Sequence, residues 1–217
     1  MEIVEKIISY LKETYSPEAI IIYGSFADGS ANENSDFDAL VISDRDKTHD
    51  SSVIDGTILD VFIYPSNTFL SAYNPEEFVQ VFDGKIVLDE KGVAHSLQKQ
   101  VLSYIEHTQK KTTDEIQQEV SWCEKMVLRT ERNDAEGYYR WHWVLLDSLE
   151  IYCDIQGFRY FGPKKALRLM KKADKEAFRI YSEALKFFER EHLSEWISYL
   201  ILLSNNTPRK ADHPENL

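Results

Sequence analysis

Apolar residues recur at helical spacing from the start of the chain. Ile3, Val4, Ile7, Ile8 and Leu11 share one face, and Ser16-Pro17 breaks the pattern, which predicts a helix over 2–14. Ala19 to Tyr23 is a short unbroken apolar run that stops at Gly24, the mark of a buried strand. Phe37 to Ile42 predicts a second strand, followed by a polar loop from Ser43 to Ser52. Within Val53 to Tyr64, Asp55-Gly56 is a two-residue hairpin signal, and Thr57 to Ile63 is the strand that leaves it. Lys85 to Leu88 is a fourth short strand, closed by the polar run Asp89 to Gly92.

From about Val93 the strand signals stop. Helical periodicities take over at about 93–109, 112–132, 135–157, 164–171, 174–189 and 191–204, with Gly157 to Pro163 the clearest break among them. Ser204 to Leu217 is polar and holds two prolines, so it reads as a frayed tail. The fold class expected is α+β, a first half mixing strands with helices and a second half that is helical throughout. The boundary falls near 108–113, giving domains of 1–110 and 111–205 and a polar tail of 206–217.

Charge narrows the partners. The net charge of −12 is unevenly spread: residues 1–110 carry 8 Lys and Arg against 19 Asp and Glu, and the remainder 17 against 18. Neither half has the excess of cations needed to displace phosphate counterions, which argues against a long nucleic acid as partner. A small cation, or a small anion accompanied by metal ions, suits this balance better. No apolar stretch approaches the length of a membrane span, and the amphipathic start of the chain does not read as a signal peptide. Cys123 and Cys153 lack metal-ligand spacing and read as buried free thiols in a reducing compartment, so a cytoplasmic protein away from membranes is expected.

Gly24-Ser25 directly follows the first strand. A glycine there lets backbone approach a ligand closely, the N–H groups after it open a short helix whose start attracts anions, and Ser25 adds a hydroxyl donor. By itself such a pair is an ordinary turn. Asp36 and Asp38 change the reading: residues two apart on a strand face the same way, so the carboxylates share one side while Phe37, Ala39 and Val41 fill the other. Two like charges that close are tolerated when a divalent cation lies between them; the alternative is a solvated strand edge. Asp60 weighs against that alternative. It lies inside Ile58-Leu59-Asp60-Val61-Phe62-Ile63 with no basic neighbour in sequence, and a carboxylate in such a strand is costly unless paired or metal-bound. Three carboxylates from two strands, with a phosphate-binding turn, describe a two-metal phosphoryl- or nucleotidyl-transfer site.

The string Gly24-Ser25-x-Ala27-x-Gly29-x-Ala31-x-x-x-Ser35-Asp36-x-Asp38-x-x-Val41 closely resembles the signature of the polymerase-β-like nucleotidyltransferase superfamily, whose small single-chain members include the kanamycin nucleotidyltransferase-like enzymes. Asp60 falls where that family carries its third carboxylate, and Lys85-Ile-Val-Leu-Asp89-x-x-Gly92 resembles the strand and turn that close its catalytic domain. Asp28 departs from the pattern, since relatives often have a basic residue there. The resemblance implies a nucleotidyltransferase domain with a mixed sheet and flanking helices, followed by an all-α helical-bundle domain that binds substrate. It implies nucleotide contacts from Gly24, Ser25 and Ser35, and two Mg²⁺ ions on the catalytic aspartates Asp36, Asp38 and Asp60. The implied reaction passes AMP from the nucleoside triphosphate ATP to a hydroxyl of a small acceptor such as an aminoglycoside. An antitoxin-like or protein-modifying nucleotidyltransferase and an inactive nucleotide-binding relative stay open as alternatives, as does a homodimer.

The helical half should choose the acceptor. On a helix Trp143, Asp147, Glu150 and Asp154 form an acidic stripe beside an aromatic, and Leu145, Leu146, Leu149 and Cys153 form the stripe facing the core. The acids read first as a solvated face; facing a nucleotide site, they would suit a polycation. Glu150 is then the candidate general base, because its apolar neighbours Leu149 and Ile151 could raise its pKa, with Asp147 the runner-up. Lys164 and Lys165 at a helix start read as solvated, and His142 between two tryptophans as packed rather than catalytic.

Overall fold

Strand β1 (Ala19–Ile22) is buried at every position, because both faces of its sheet are covered. Residues 2–206 are described in the computed structural model; the tail expected over 206–217 lies outside them, apart from Asn206 at the end of the last helix. The chain divides into two compact units between Thr108 and Gln109.

In the first unit, helix α1 (Ile3–Tyr15), β1 and the one-turn helix α2 (Gly24–Asp28) precede β2 (Phe37–Ser43), β3 (Thr48–Asp50), β4 (Val53–Ile54), β5 (Thr57–Pro65), β6 (Lys85–Asp89) and α3 (Val93–His107). The sheet order is β3-β5-β2-β1-β6, with β4 hairpinned onto β5 off that path. β2 and β5 run parallel while β1 pairs antiparallel with β2 and β6, so the sheet is mixed and the fold α+β. Period-two alternation splits the core. Ile20, Ile22, Phe37, Ala39, Val41, Leu59, Val61 and Ile63 pack with Ile7 and Leu11 of α1. Ile21, Leu40 and Ile42 pack on the opposite face with Ala94, Leu97 and Val101 of α3 and with Phe78 and Val81. Asp55 and Gly56, at φ 46° and 86°, make the tight turn that joins β4 to β5.

The polar loop expected over 43–52 is corrected by the structure: it contains the edge strand β3, paired antiparallel with β5. Two of its three residues are exposed, so no apolar run marks it. What holds it is Asp50, which is buried, accepts from Tyr15 Oη at 2.8 Å and from the Ser52 amide at 2.9 Å, and so ties β3 to α1.

The second unit is helical: α4 (Thr113–Arg129), α5 (Ala135–Ile155), α6 (Pro163–Ala173), α7 (Lys175–Lys186) and α8 (Arg190–Asn206). Each of the first two starts on a side-chain cap, Thr112 with Glu115 as a reciprocal pair and Asp134 to the Gly137 amide. Asp174 caps α7 through the Ala177 amide and also accepts from Tyr199 Oη of α8 at 2.9 Å. At the centre, fully buried Trp196 donates to Ser148 Oγ at 2.8 Å and Tyr181 donates to the Leu145 carbonyl at 2.6 Å, so both polar tips are satisfied. Leu145, Leu149 and Cys153 face this core as expected, but Leu146 does not; it is 66% exposed, one residue off the buried line of α5. Cys123 and Cys153 are free and buried. Burial, then the charges around them, pushes their thiols up to about 12 and about 11, so both stay neutral. Among the described residues no helix is long and apolar enough to cross a membrane.

Asp89 joins β6 to α3. Its side chain, 4% exposed, accepts from the Ala94 and His95 amides and from His95 Nδ1 at 2.5 Å. Burial pushes this carboxyl up, but the His95 ring and the two amides outweigh it and hold the pKa below the ordinary value. A depressed carboxyl stabilises the fold above its unfolded pKa and loses that contribution as pH falls through the folded pKa. Asp89→Ala should therefore cost about 1–2 kcal/mol at pH 7 by urea unfolding, with the gap to wild type closing in acid. A gap that persists unchanged in acid would contradict the assignment.

Candidate active site

β2 and β5 are paired so that Asp38 lies directly beside Asp60. Both belong to the positions that alternate with the α1-facing core, and neither is buried. The register follows from burial: Phe37, Ala39 and Val41 sit beside Leu59, Val61 and Ile63, and a slip of one residue would turn the aspartates into that core. Buried Tyr23, one residue past β1, lies on the same side, its amide donating to the Asp38 carbonyl at 3.1 Å. Burial raises the Tyr23 hydroxyl, and the charges of Asp38 and Asp60 raise it further, so it remains a neutral phenol beside the pair.

Gly24 follows at φ 65°, and a Cβ built on it would lie 2.4 Å from Asp38 Oδ2. The left-handed backbone favours glycine here, and any side chain would displace the Asp38 carboxylate. Ser25, second in α2, accepts through its carbonyl from the Ser30 and Ala31 amides at 3.0 and 3.1 Å, closing the turn. Asp28, the departure from the family pattern, caps the same turn at the Ser30 amide. Ser35 Oγ accepts from the Asn32 amide at 3.0 Å, so this hydroxyl shapes the loop leading into β2. Asp36 is exposed and stands one residue ahead of β2. The three carboxylates do not draw within 4.8 Å of one another; among the described residues Glu183, His192 and Glu195 do, and there Arg179 already binds both glutamates.

Asp60 corrects one premise read from the sequence. No basic residue adjoins it along the chain, but His49 of β3 reaches it across the sheet, Nε2 to Oδ1 at 2.7 Å, and the Asp60 side chain is 44% exposed rather than sunk in an apolar strand. A single histidine in a polar stretch gave no signal for this. The three aspartates offer only carboxylate oxygens, the donors hard divalent cations take, and Gly24 puts no side chain of its own against Asp38. The residues fit such a cation.

Glu150 belongs to the helical unit. There Trp122, Trp143, Asp147, Glu150, Glu115 and Glu119 line a cavity of about 570 Å³ that Lys111 borders. The two indoles meet edge to face at 5.1 Å. Lys111 is committed to Glu119 at 2.6 Å and Asp154 at 3.0 Å, yet Glu119 Oε2 is buried without a hydrogen-bond partner. Asp154 thus leaves the expected stripe for a structural ion pair. Glu150 itself is exposed, while Leu149 and Ile151 turn into the core, so the apolar surroundings expected around its carboxylate are missing. His142 is exposed and stacks on Phe188 at 5.7 Å, and Lys164 is exposed at the start of α6.

The chain matches the model of the polymerase beta, nucleotidyltransferase family over residues 5–119. No curated protein matches it. Among solved structures, a nucleotidyltransferase-like protein from Exiguobacterium sibiricum 255-15 is similar at 15% identity and a TM-score of 0.38, the match covering 94% of this chain and 74% of that one. The family match takes in more than half of the 217 residues, with Gly24, Ser25, Asp36, Asp38 and Asp60 inside it, and the chain belongs to the polymerase β nucleotidyltransferase family and is a nucleotidyltransferase.

Proposed function

We propose that this enzyme moves AMP from ATP to a hydroxyl of a small, amine-bearing acceptor, in the manner of the kanamycin nucleotidyltransferase-like enzymes, and that it works in the cytoplasm, with which its free thiols agree. One observation carries the reading: Asp38 beside Asp60 in register, with the Gly24 turn packed close against Asp38. The acceptor oxygen bonds to the α-phosphorus, the bond from that phosphorus to the β-phosphate oxygen breaks, and pyrophosphate leaves. Mg²⁺, when bound by Asp36, Asp38 and Asp60, neutralises the triphosphate and makes the acceptor hydroxyl more acidic. Asp60 takes the hydroxyl proton, and the Gly24-Ser25 turn receives the β- and γ-phosphates.

The acceptor class rests on the cavity of the helical unit. Its volume suits a small molecule, its indoles suit the carbon faces of a cation, and its carboxylates outnumber its single, already paired lysine. The unpartnered Glu119 Oε2 is an acceptor for an ammonium donor. Glu150 and Asp147 then act by holding amines. Incubation with labelled ATP, Mg²⁺ and a panel of aminoglycosides, lincosamides and protein extracts identifies the acceptor; label appearing only on protein would replace the small-acceptor reading with a protein-modifying one.

Asp38→Asn should lower transfer by orders of magnitude while leaving the fold intact, and EDTA should stop the wild type; transfer that survives excess EDTA would overturn the metal site. Gly24→Ala should push the Asp38 carboxylate aside. We expect kcat to fall about 10²-fold for a stability cost of about 1–2 kcal/mol, and a kcat within twofold of wild type would contradict the proposed role. Glu150→Gln with Asp147→Asn should raise KM for the amine-bearing acceptor about tenfold with KM for ATP unchanged, because only a charged contact to the acceptor is lost. An unchanged acceptor KM returns these acids to a solvated face.

A further inference from the structure

β3 has no apolar residue to bury, yet it is held on the sheet edge in a defined register. Asp50 fixes it from one side through Tyr15 and Ser52, and His49, one residue earlier, therefore faces the other side, opposite Phe62 and diagonal to Asp60. Its ring lies 4.6 Å from the Phe62 ring, and its Nε2 is 2.7 Å from Asp60 Oδ1. Both side chains are more than 40% exposed, so the pair adds little to stability. The contact must be explained by what it does to Asp60.

We propose that His49 is a positioning residue for Asp60: it occupies Oδ1 and turns Oδ2 toward the cation and the acceptor hydroxyl. The proposal rests on the reading of Asp60 as a metal ligand. A half-exposed carboxylate on the face of a strand can rotate about its last torsion, and a ligand that rotates binds a cation poorly; a donor on one oxygen removes that freedom. The Phe62 ring limits the imidazole in turn, so the constraint passes from a strand register to a side chain and from there to the carboxylate. No other described residue is seen to hydrogen-bond Asp60, which makes His49 the specific point at which this constraint can be removed.

Mn²⁺ binding tests this without relying on turnover. Free Mn²⁺ is followed by electron paramagnetic resonance in the presence of a non-hydrolysable ATP analogue, for wild type, His49→Ala, His49→Gln, Asp60→Asn and the His49→Ala/Asp60→Asn pair. His49→Ala should weaken one of two bound ions about tenfold and leave the other unchanged, with the urea midpoint unmoved. His49→Gln, which keeps an N–H donor at similar reach, should restore most of that affinity. Asp60→Asn should weaken the same ion, and adding His49→Ala to it should change nothing more. Equal binding by wild type and His49→Ala overturns the proposal while the metal reading stands. Tighter binding by His49→Ala overturns it too, by showing that the imidazole competes for Asp60. If wild type binds no Mn²⁺, the metal reading itself fails and the proposal falls with it.

Discussion

The parallel pairing of β2 with β5 is the constraint on which the rest of the first unit depends. It sets Asp38 directly against Asp60 on neighbouring strands, on one face of the sheet, where like charges repel. The opposite face outweighs this. Phe37, Ala39, Val41, Leu59, Val61 and Ile63 are all buried, and a large apolar side chain contributes about 1.5–3 kcal/mol when buried. Hydrophobic burial behind the sheet thus holds the acids together in front of it. The Gly24 turn adds a second condition, since any side chain there would meet Asp38.

That division explains what could be read from the sequence. Unbroken apolar runs and a hairpin dipeptide mark β1, β2 and β5 because burial and turn geometry are local signals, and the alternation around Asp36 and Asp38 already says which way the side chains point. The helices of the second unit follow from their apolar periodicity in the same way. β3 could not be read, because what holds it is a buried aspartate bonded to a tyrosine of α1, 35 residues away. His49 fell with it. Leu146 was misplaced because α5 carries apolar residues almost all round, so its buried line cannot be chosen from spacing alone. The apolar surroundings expected around Glu150 are absent for a related reason: sequence neighbours on a helix point in different directions, and Leu149 and Ile151 line the core rather than the carboxylate.

The acids of the first unit separate by who satisfies them. Asp50 and Asp89 are drawn into the protein, each accepting from backbone amides and from a side chain, and burial, which alone would raise both carboxyls, is overcome by those donors so that both are held below the ordinary range. These are structural acids, whose partners are fixed by the fold. Asp60 lies on the same sheet, 44% exposed, with an imidazole on one oxygen. Asp36 is exposed at the mouth of β2. A strand that spends buried positions on packing turns its carboxylates toward solvent. In a chain of net charge −12 the species such outward carboxylates favour is a cation.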